Sequence, residues 1–330
     1  MKETPHDALA KFVFKNPERA AAELSIVLPE ALSKRFDWST LRLHDGSFID
    51  PELVETYSDL LFQVDLAKYP TLVYVLFEHK SSPQRLTPFQ LLCYVVRVLE
   101  SHVRQCRVQK IPALPLPPVI PMVLHHSESG WTAPTELLPL FGPVLQAVPE
   151  LEACLPSLHF IVDDISHLSD EQLRQRALDA VTKLALWAMR DGRAPARLLE
   201  SFGHWADLLN ELEDAADGGE ALDVIFRYIS KVANGLDVDQ LRQAARQLAP
   251  RIESRIMTIA EQMRREGRAE GRAEGRLEGG AAILQGLLEE KFGPLPEHLN
   301  DRLRAATEEQ LTCWAKRVLI ADSFEAVFGE

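Results

Sequence analysis

The stretch YVLFEHKSS at 74–82 begins with Tyr74, Val75, Leu76 and Phe77, four residues suited to a strand covered on both faces. It then reaches Glu78, His79 and Lys80 with no turn residue between. Burying a lone carboxylate or ammonium is costly, so charge at the end of a core strand needs a purpose. Residues two apart on a strand share a face, which sends Glu78 and Lys80 one way and His79 the other. The preceding apolar run, YSDLLFQV, carries its own acid, Asp59, directly before Leu60, Leu61 and Phe62. If 57–64 and 72–80 are antiparallel neighbours joined near Ala67–Pro70, pairing about residue 68 sets Asp59 roughly opposite Phe77 and close to Glu78. Two carboxylates on neighbouring strands offer oxygen ligands to a hard divalent cation such as Mg²⁺. A lysine beside them can hold a water or stabilise charge developing on a phosphate. Asp-x(18)-Glu-x-Lys is a weak pattern by itself, and its setting within apolar strands strengthens it, because acids are rarely buried without a role.

The elements that must position these groups follow from periodicity. Residues 6–36 read as helical, 47–66 as strands, LAKYP as a hairpin turn and LVYVLFEH as the next strand. From about Pro88 to Gln109 the period becomes helical, with Phe89, Leu92, Cys93, Val96 and Leu99 on the expected apolar face and Arg97, Arg104 and Arg107 largely off it. The proline-rich 111–121 reads as an extended connector into the strand VIPMVLHH, and LHFIVDDIS at 158–166 as another strand. Amphipathic helices are expected from Glu171 to about Ala260. This order predicts an α/β core, a mixed sheet flanked by helices, with an α-helical C-terminal extension.

Composition limits the function classes. With 330 residues, 46% hydrophobic, the chain can bury a sizeable core. Cys93, Cys106, Cys154 and Cys313 form no CxxC pair, which argues against a zinc cluster or disulfide framework and fits a reducing, cytoplasmic setting. MKETPHDALAKFVF lacks the apolar core of a signal peptide, and the longest apolar-looking stretch, IPALPLPPVIPMVL, is interrupted by five prolines, so no membrane partner is expected. The net charge of −13 is uneven. Residues 1–130 hold 14 basic and 15 acidic side chains of the chain's 36 and 49, leaving −12 for the remaining 200. Between 80 and 110, Lys80, Arg85, Arg97, Arg104, Arg107 and Lys110 face only Glu100. A local basic surface suits a polyanion; a solvated helix face explains the same charges equally well.

The ordered motifs carry a resemblance. HDALAKFVF (6–14), FIDPELVETYSDLLFQV (48–64), YVLFEHKSS (74–82), PFQLLCYVVRVLE (88–100) and PVIPMVLHHSESGW (118–131) resemble the Rpn family of recombination-promoting nucleases, also described as YhgA-like transposases, within the PD-(D/E)XK nuclease superfamily. The likeness covers most of residues 5–170. It implies a restriction-endonuclease-like core and a metal-dependent DNA endonuclease. Asp59 and Glu78 would bind Mg²⁺ (or Mn²⁺ or Ca²⁺) with the backbone carbonyl of His79, and Lys80 would position the attacking water. Gln90 falls where the superfamily often places an auxiliary polar residue. Ser58 stands in place of the superfamily's proline, and Lys80 stands where many members of the closer family carry glutamine. His125-His126 point to opposite faces of a strand and read as structural; Asp163-Asp164 read as a strand end and turn. His6-Asp7 suit either a helix cap or the site, and Glu23 is a further candidate to approach the metal.

The chain thus divides into a nuclease core at 1–170, a helical extension at 171–260, a charged Gly-rich repeat at 261–280 and a small module at 281–330. In EGRAEGRAEGRLEGG the glycines, glutamates and arginines form separate stripes. Each glycine weakens an isolated helix by ~1 kcal/mol relative to alanine, so the repeat is either a flexible connector or a helix packed against a second copy. The tail resembles a helical module, DUF4351, with Leu299, Leu303, Leu311, Trp314 and Leu319 as its expected core and assembly as its expected role. An alternative function is a catalytically inactive nuclease fold acting through the C-terminal helices; retention of Asp59, Glu78 and Lys80 together argues against it.

Overall fold

In the computed structural model the residues described are 4–44, 60–67, 69–78, 84–215 and 218–329, with positions 74–78, 270, 273 and 274 described by backbone alone. The expected first helix is three: α1 (Pro5–Phe14), α2 (Pro17–Val27) and α3 (Glu30–Ser33). Pro5 and Pro17 occupy first-turn positions, where a missing N–H costs nothing, and Thr4 and Asn16 cap the exposed amides behind them. The chain then enters β1 (Phe36–Leu43), a strand absent from the sequence reading.

Strands β1, β2 (Leu60–Leu66), β3 (Tyr69–Glu78), β4 (Val119–His125) and β5 (Ile161–Asp164) form one sheet in that order. The first three are antiparallel, and β3, β4 and β5 are parallel. The β2–β3 ladder sets Leu60 against Val75, one position from the expected register. Ala67, at φ 48°, takes the left-handed turn conformation between them. The crossover from β3 to β4 is made by α4 (Thr87–Gln109), the helix that a parallel pair requires.

Helix α4 corrects the expected apolar face. Leu91, Tyr94 and Val98 are buried and pack on Leu61, Leu72, Val123 and Phe160, whereas Phe89 and Val96 face solvent. The helix carries apolar residues on both sides, so the period gave the right element with the wrong side inward. The other sheet face meets α1 and α2, where Phe14, Ala20 and Leu24 surround Phe62, Met122 and Leu124.

Beyond the sheet lie α5 (Pro143–Ala147), α6 (Asp170–Gln175), α7 (Ala180–Asp191), α8 (Pro195–Asp214), α9 (Gly218–Val232) and α10 (Val238–Leu248). Their core centres on Trp187, stacked on Trp205 at 5.8 Å. The chain divides into two compact units, Met1–Met257 and Thr258–Glu330. Helix α11 (Glu253–Phe292) is continuous through the repeat, and among the described residues no atom beyond the helix's own nearby backbone lies within 4 Å of where a Cβ would sit on Gly267, Gly271, Gly275 or Gly279. The second unit adds α12 (Glu297–Arg304), α13 (Glu308–Val318) and α14 (Phe324–Phe328). Leu299, Leu303, Leu311 and Trp314 enter its core as expected. Leu319 does not: it is 75% exposed and Val318 is buried instead, a one-residue error in helix phase. Among the described residues no helix is long and apolar enough to cross a membrane.

Candidate active site

The parallel ladders align Glu78 with His125, and His125 with Asp164, at the C-terminal ends of β3, β4 and β5. Glu78 closes β3. Asp59, His79 and Lys80 lie outside the described residues, so the structure locates the strands that flank these positions and gives no geometry for their side chains. Among the described residues, no three His, Cys, Asp or Glu side chains gather in a way that could hold a metal ion.

What surrounds the strand ends is well defined. His125 is fully buried; its Nε2 lies 2.9 Å from Ser127 Oγ and its ring meets Trp131 edge-on at 5.1 Å. Asp164 accepts from the backbone amides of Trp131 (2.8 Å) and Ser166 (3.0 Å) and from Ser166 Oγ (2.5 Å). Burial opposes ionisation of this carboxyl, but the hydrogen bonds from Ser166 and Trp131, with the charge of His125, outweigh it and hold the group below the usual carboxylate range. The 127–131 loop is thereby tied to the end of β5. Gly130 completes the tie at φ +72°, where a Cβ would sit 3.0 Å from Asp164 Oδ2 and from the His167 ring; only glycine suits that conformation and that space.

His126 packs on the other side, its ring 4.9 Å from that of His6. His6 Nε2 lies 2.8 Å from Arg193 Nη2 and its Nδ1 2.8 Å from the Tyr228 hydroxyl. Because a guanidinium can only donate, Nε2 accepts and Nδ1–H donates to Tyr228, which makes this histidine neutral. Burial pushes the Tyr228 hydroxyl's pKa up. Asp7 forms a capping box with Thr4. The pair His6-Asp7 therefore includes a helix cap and joins α1 to the helices behind the sheet.

Glu23 and Asp163 share Arg176, which contacts Asp163 through both oxygens at 2.7 and 2.9 Å and Glu23 through Oε1. Glu23 and Asp163 are both buried, and Glu23 Oε2 has no hydrogen-bond partner among the described residues. Burial first, then the neighbouring Asp163, raises the Glu23 pKa well above normal, against the opposing charge of Arg176. The sequence singled out both acids but not Arg176.

Gln90 is half-buried on α4 and donates to Gln84 Oε1 at 3.2 Å. Arg85, just before α4, and Arg104 and Arg107 on it are exposed, with Arg97 half-buried. None of the four makes a side-chain hydrogen bond or ion pair among the described residues. Arginines of the helical extension behave differently: Arg174, Arg176, Arg190, Arg197 and Arg255 all grip carboxylates.

The fold is that of an α/β protein whose parallel strands end level with one another at Glu78, His125 and Asp164. Residues 4–219 match the family model described as "Putative transposase, YhgA-like", and the chain belongs to that family. It is 31% identical over 182 residues (55% of this chain, 59% of the relative) to the recombination-promoting nuclease RpnA of Escherichia coli K12. It is 30% identical over 189 residues (57% and 60%) to the inactive recombination-promoting nuclease-like protein RpnE of the same strain. It is 34% identical over 123 residues (37% and 45%) to the recombination-promoting nuclease RpnD of E. coli O157:H7. The matched region thus spans 60% or less of the length of these relatives. No solved structure matches the chain.

Proposed function

We propose that this protein is a metal-dependent DNA endonuclease with a PD-(D/E)XK-type site, acting in recombination, mobile-element biology or defence. The observation that carries the reading is the β2–β3 pair. Asp59 directly precedes β2 and Glu78 closes β3. Asp59 is two positions from Leu61, Glu78 is six from Leu72, and Leu61 and Leu72 lie in one cluster on one sheet face; even spacings favour a common face. The donor set, two carboxylates and a carbonyl, is all oxygen and suits Mg²⁺. Asp59, Glu78 and the His79 carbonyl would hold the cation, which would polarise the scissile phosphate and acidify a bound water. Lys80 would hold the attacking water and offset charge on the phosphate; Gln90 would orient a polar group of substrate. Relatives named as nucleases support the activity, and this chain carries Asp59, Glu78 and Lys80 together.

Arg85, Arg97, Arg104 and Arg107 would meet the DNA backbone. Replacing all four by glutamine is expected to weaken duplex binding and to flatten the dependence of log K on log salt by up to about 0.9 per lost phosphate contact; an unchanged slope would remove them from the interface. A metal titration followed by calorimetry tests the centre directly: wild type should bind Mg²⁺ or Mn²⁺, and Asp59→Asn should bind weakly or not at all. Equal binding by the two would rule out the assignment. The glycine, glutamate and arginine stripes in the middle of α11, and the DUF4351-like tail, would serve self-association of the chain.

A further inference from the structure

The outer face of α4 is divided along its length. In its first half, Phe89 and Val96 are 52% and 45% exposed, and Leu86, just before the helix, is 59% exposed. At 100° per residue, Phe89, Val96, Arg104 and Arg107 fall on one side, opposite the buried Leu91, Tyr94 and Val98. The second half of that face carries the unpaired arginines with Glu100 as the one acid of the helix. Exposed apolar side chains grouped on one helix face can mark a binding surface. A partner for this face would meet bare hydrocarbon at one end and the arginines over the following 15 Å or so, the rise from Arg97 to Arg107 at about 1.5 Å per residue.

Connectivity fixes which end is which. Helix α4 links two parallel strands, so its first turn lies at the sheet end where β3 stops at Glu78, and its last turn at the end where β4 begins. The apolar half is the half beside the candidate active site. A protein partner with an acidic surface would match the arginines but, seated on Phe89, would cover the entrance to the candidate active site; a second copy of α4 would meet the same positive charge. A nucleic acid with exposed bases supplies both chemistries, phosphates for the arginines and apolar ring faces for Leu86 and Phe89.

We infer that Leu86 and Phe89 form a stacking platform for unpaired bases, which makes the preferred substrate DNA with a single-stranded or distorted tract next to the cut rather than a fully paired duplex. This rests on the nuclease reading for the identity of the polymer and goes beyond it in substrate class. Phe89 would receive a base face while Arg97, Arg104 and Arg107 track the phosphates of the flanking strand.

The test is fluorescence anisotropy with the full chain in EDTA, using a paired duplex and the same duplex with a short unpaired tract. Wild type should prefer the interrupted duplex by about tenfold or more, as one stacked base allows. Phe89→Ala should lose that preference while still binding the paired duplex, and Phe89→Tyr should keep it. Equal binding of both DNAs by wild type, or a preference that survives Phe89→Ala, would overturn the platform. So would a fall from dimer to monomer in light scattering for Phe89→Ala with its DNA preference intact, which would make the face an interface between copies. Cleavage in Mg²⁺ is scored separately on the same samples. A preference without cutting would leave the platform standing and sink the nuclease; cutting without a preference would do the reverse.

Discussion

Arg176→Met is expected to destabilise the first unit by about 3–5 kcal/mol, the range found when one partner of a buried ion pair is removed. The loss leaves Glu23 and Asp163 facing each other, both almost wholly buried, with no cation between them. It also cuts the tie between α2, β5 and the segment leading into α7. Denaturant unfolding at neutral pH measures the effect; a change below about 1 kcal/mol would mean the site relaxes by admitting water, as exposed pairs do. Glu23→Gln should behave quite differently. The folded-state pKa of Glu23 is raised well above the usual glutamate value of 4.5, so over the pH range between the two the folded chain holds a proton that the unfolded chain has released. That contribution to stability is complete below pH 4.5 and is lost as pH rises through the folded value. Glutamine has no such loss. The stability of Glu23→Gln relative to wild type should therefore improve as pH rises from 4.5, and a pH-independent difference would contradict the raised pKa.

The second large effect concerns chemistry. Asp59→Ala and Glu78→Ala are each expected to abolish metal-dependent cutting with no loss of folding, since both positions flank strands whose cores lie elsewhere, at Leu61, Leu72 and Val123. Lys80→Ala should lower the rate by about 10²–10³-fold, the scale of losing one electrostatic contact to the transition state, while metal affinity changes little. Far-UV circular dichroism alongside a cleavage assay separates the two readouts. Wild-type cleavage by Asp59→Ala would refute the site.

Several features were legible from sequence for simple reasons. β3 and β4 are apolar runs bounded by polar or proline-rich segments, and the Ala67 turn lies between two such runs. β1 escapes a sequence reading because FDWSTLRL, an edge strand, buries only Phe36 and Leu41, too few to register as a period. The side of α4 was misread because a helix with apolar residues both inside and out has no single dominant phase; its exposed half is the part with a functional reading. Leu319 failed for a related reason, since adjacent Val318 and Leu319 compete for one inward position. The Glu23–Arg176 contact joins residues 153 apart, and no local pattern announces such a pair. The candidate site shows the same division: Asp59, Glu78 and Lys80 stand out by type and spacing, whereas the His125–Ser127–Asp164–Trp131 network at the ends of β4 and β5 depends on strand order.

Supercoiled plasmid incubated with the purified full chain tests the central claim most directly, in Mg²⁺, in EDTA and with Glu78→Ala. Nicked or linear product is expected from wild type in Mg²⁺, and none in EDTA or with the variant. Cutting that survives EDTA or Glu78→Ala, or a folded, DNA-binding protein that never cuts, would contradict it.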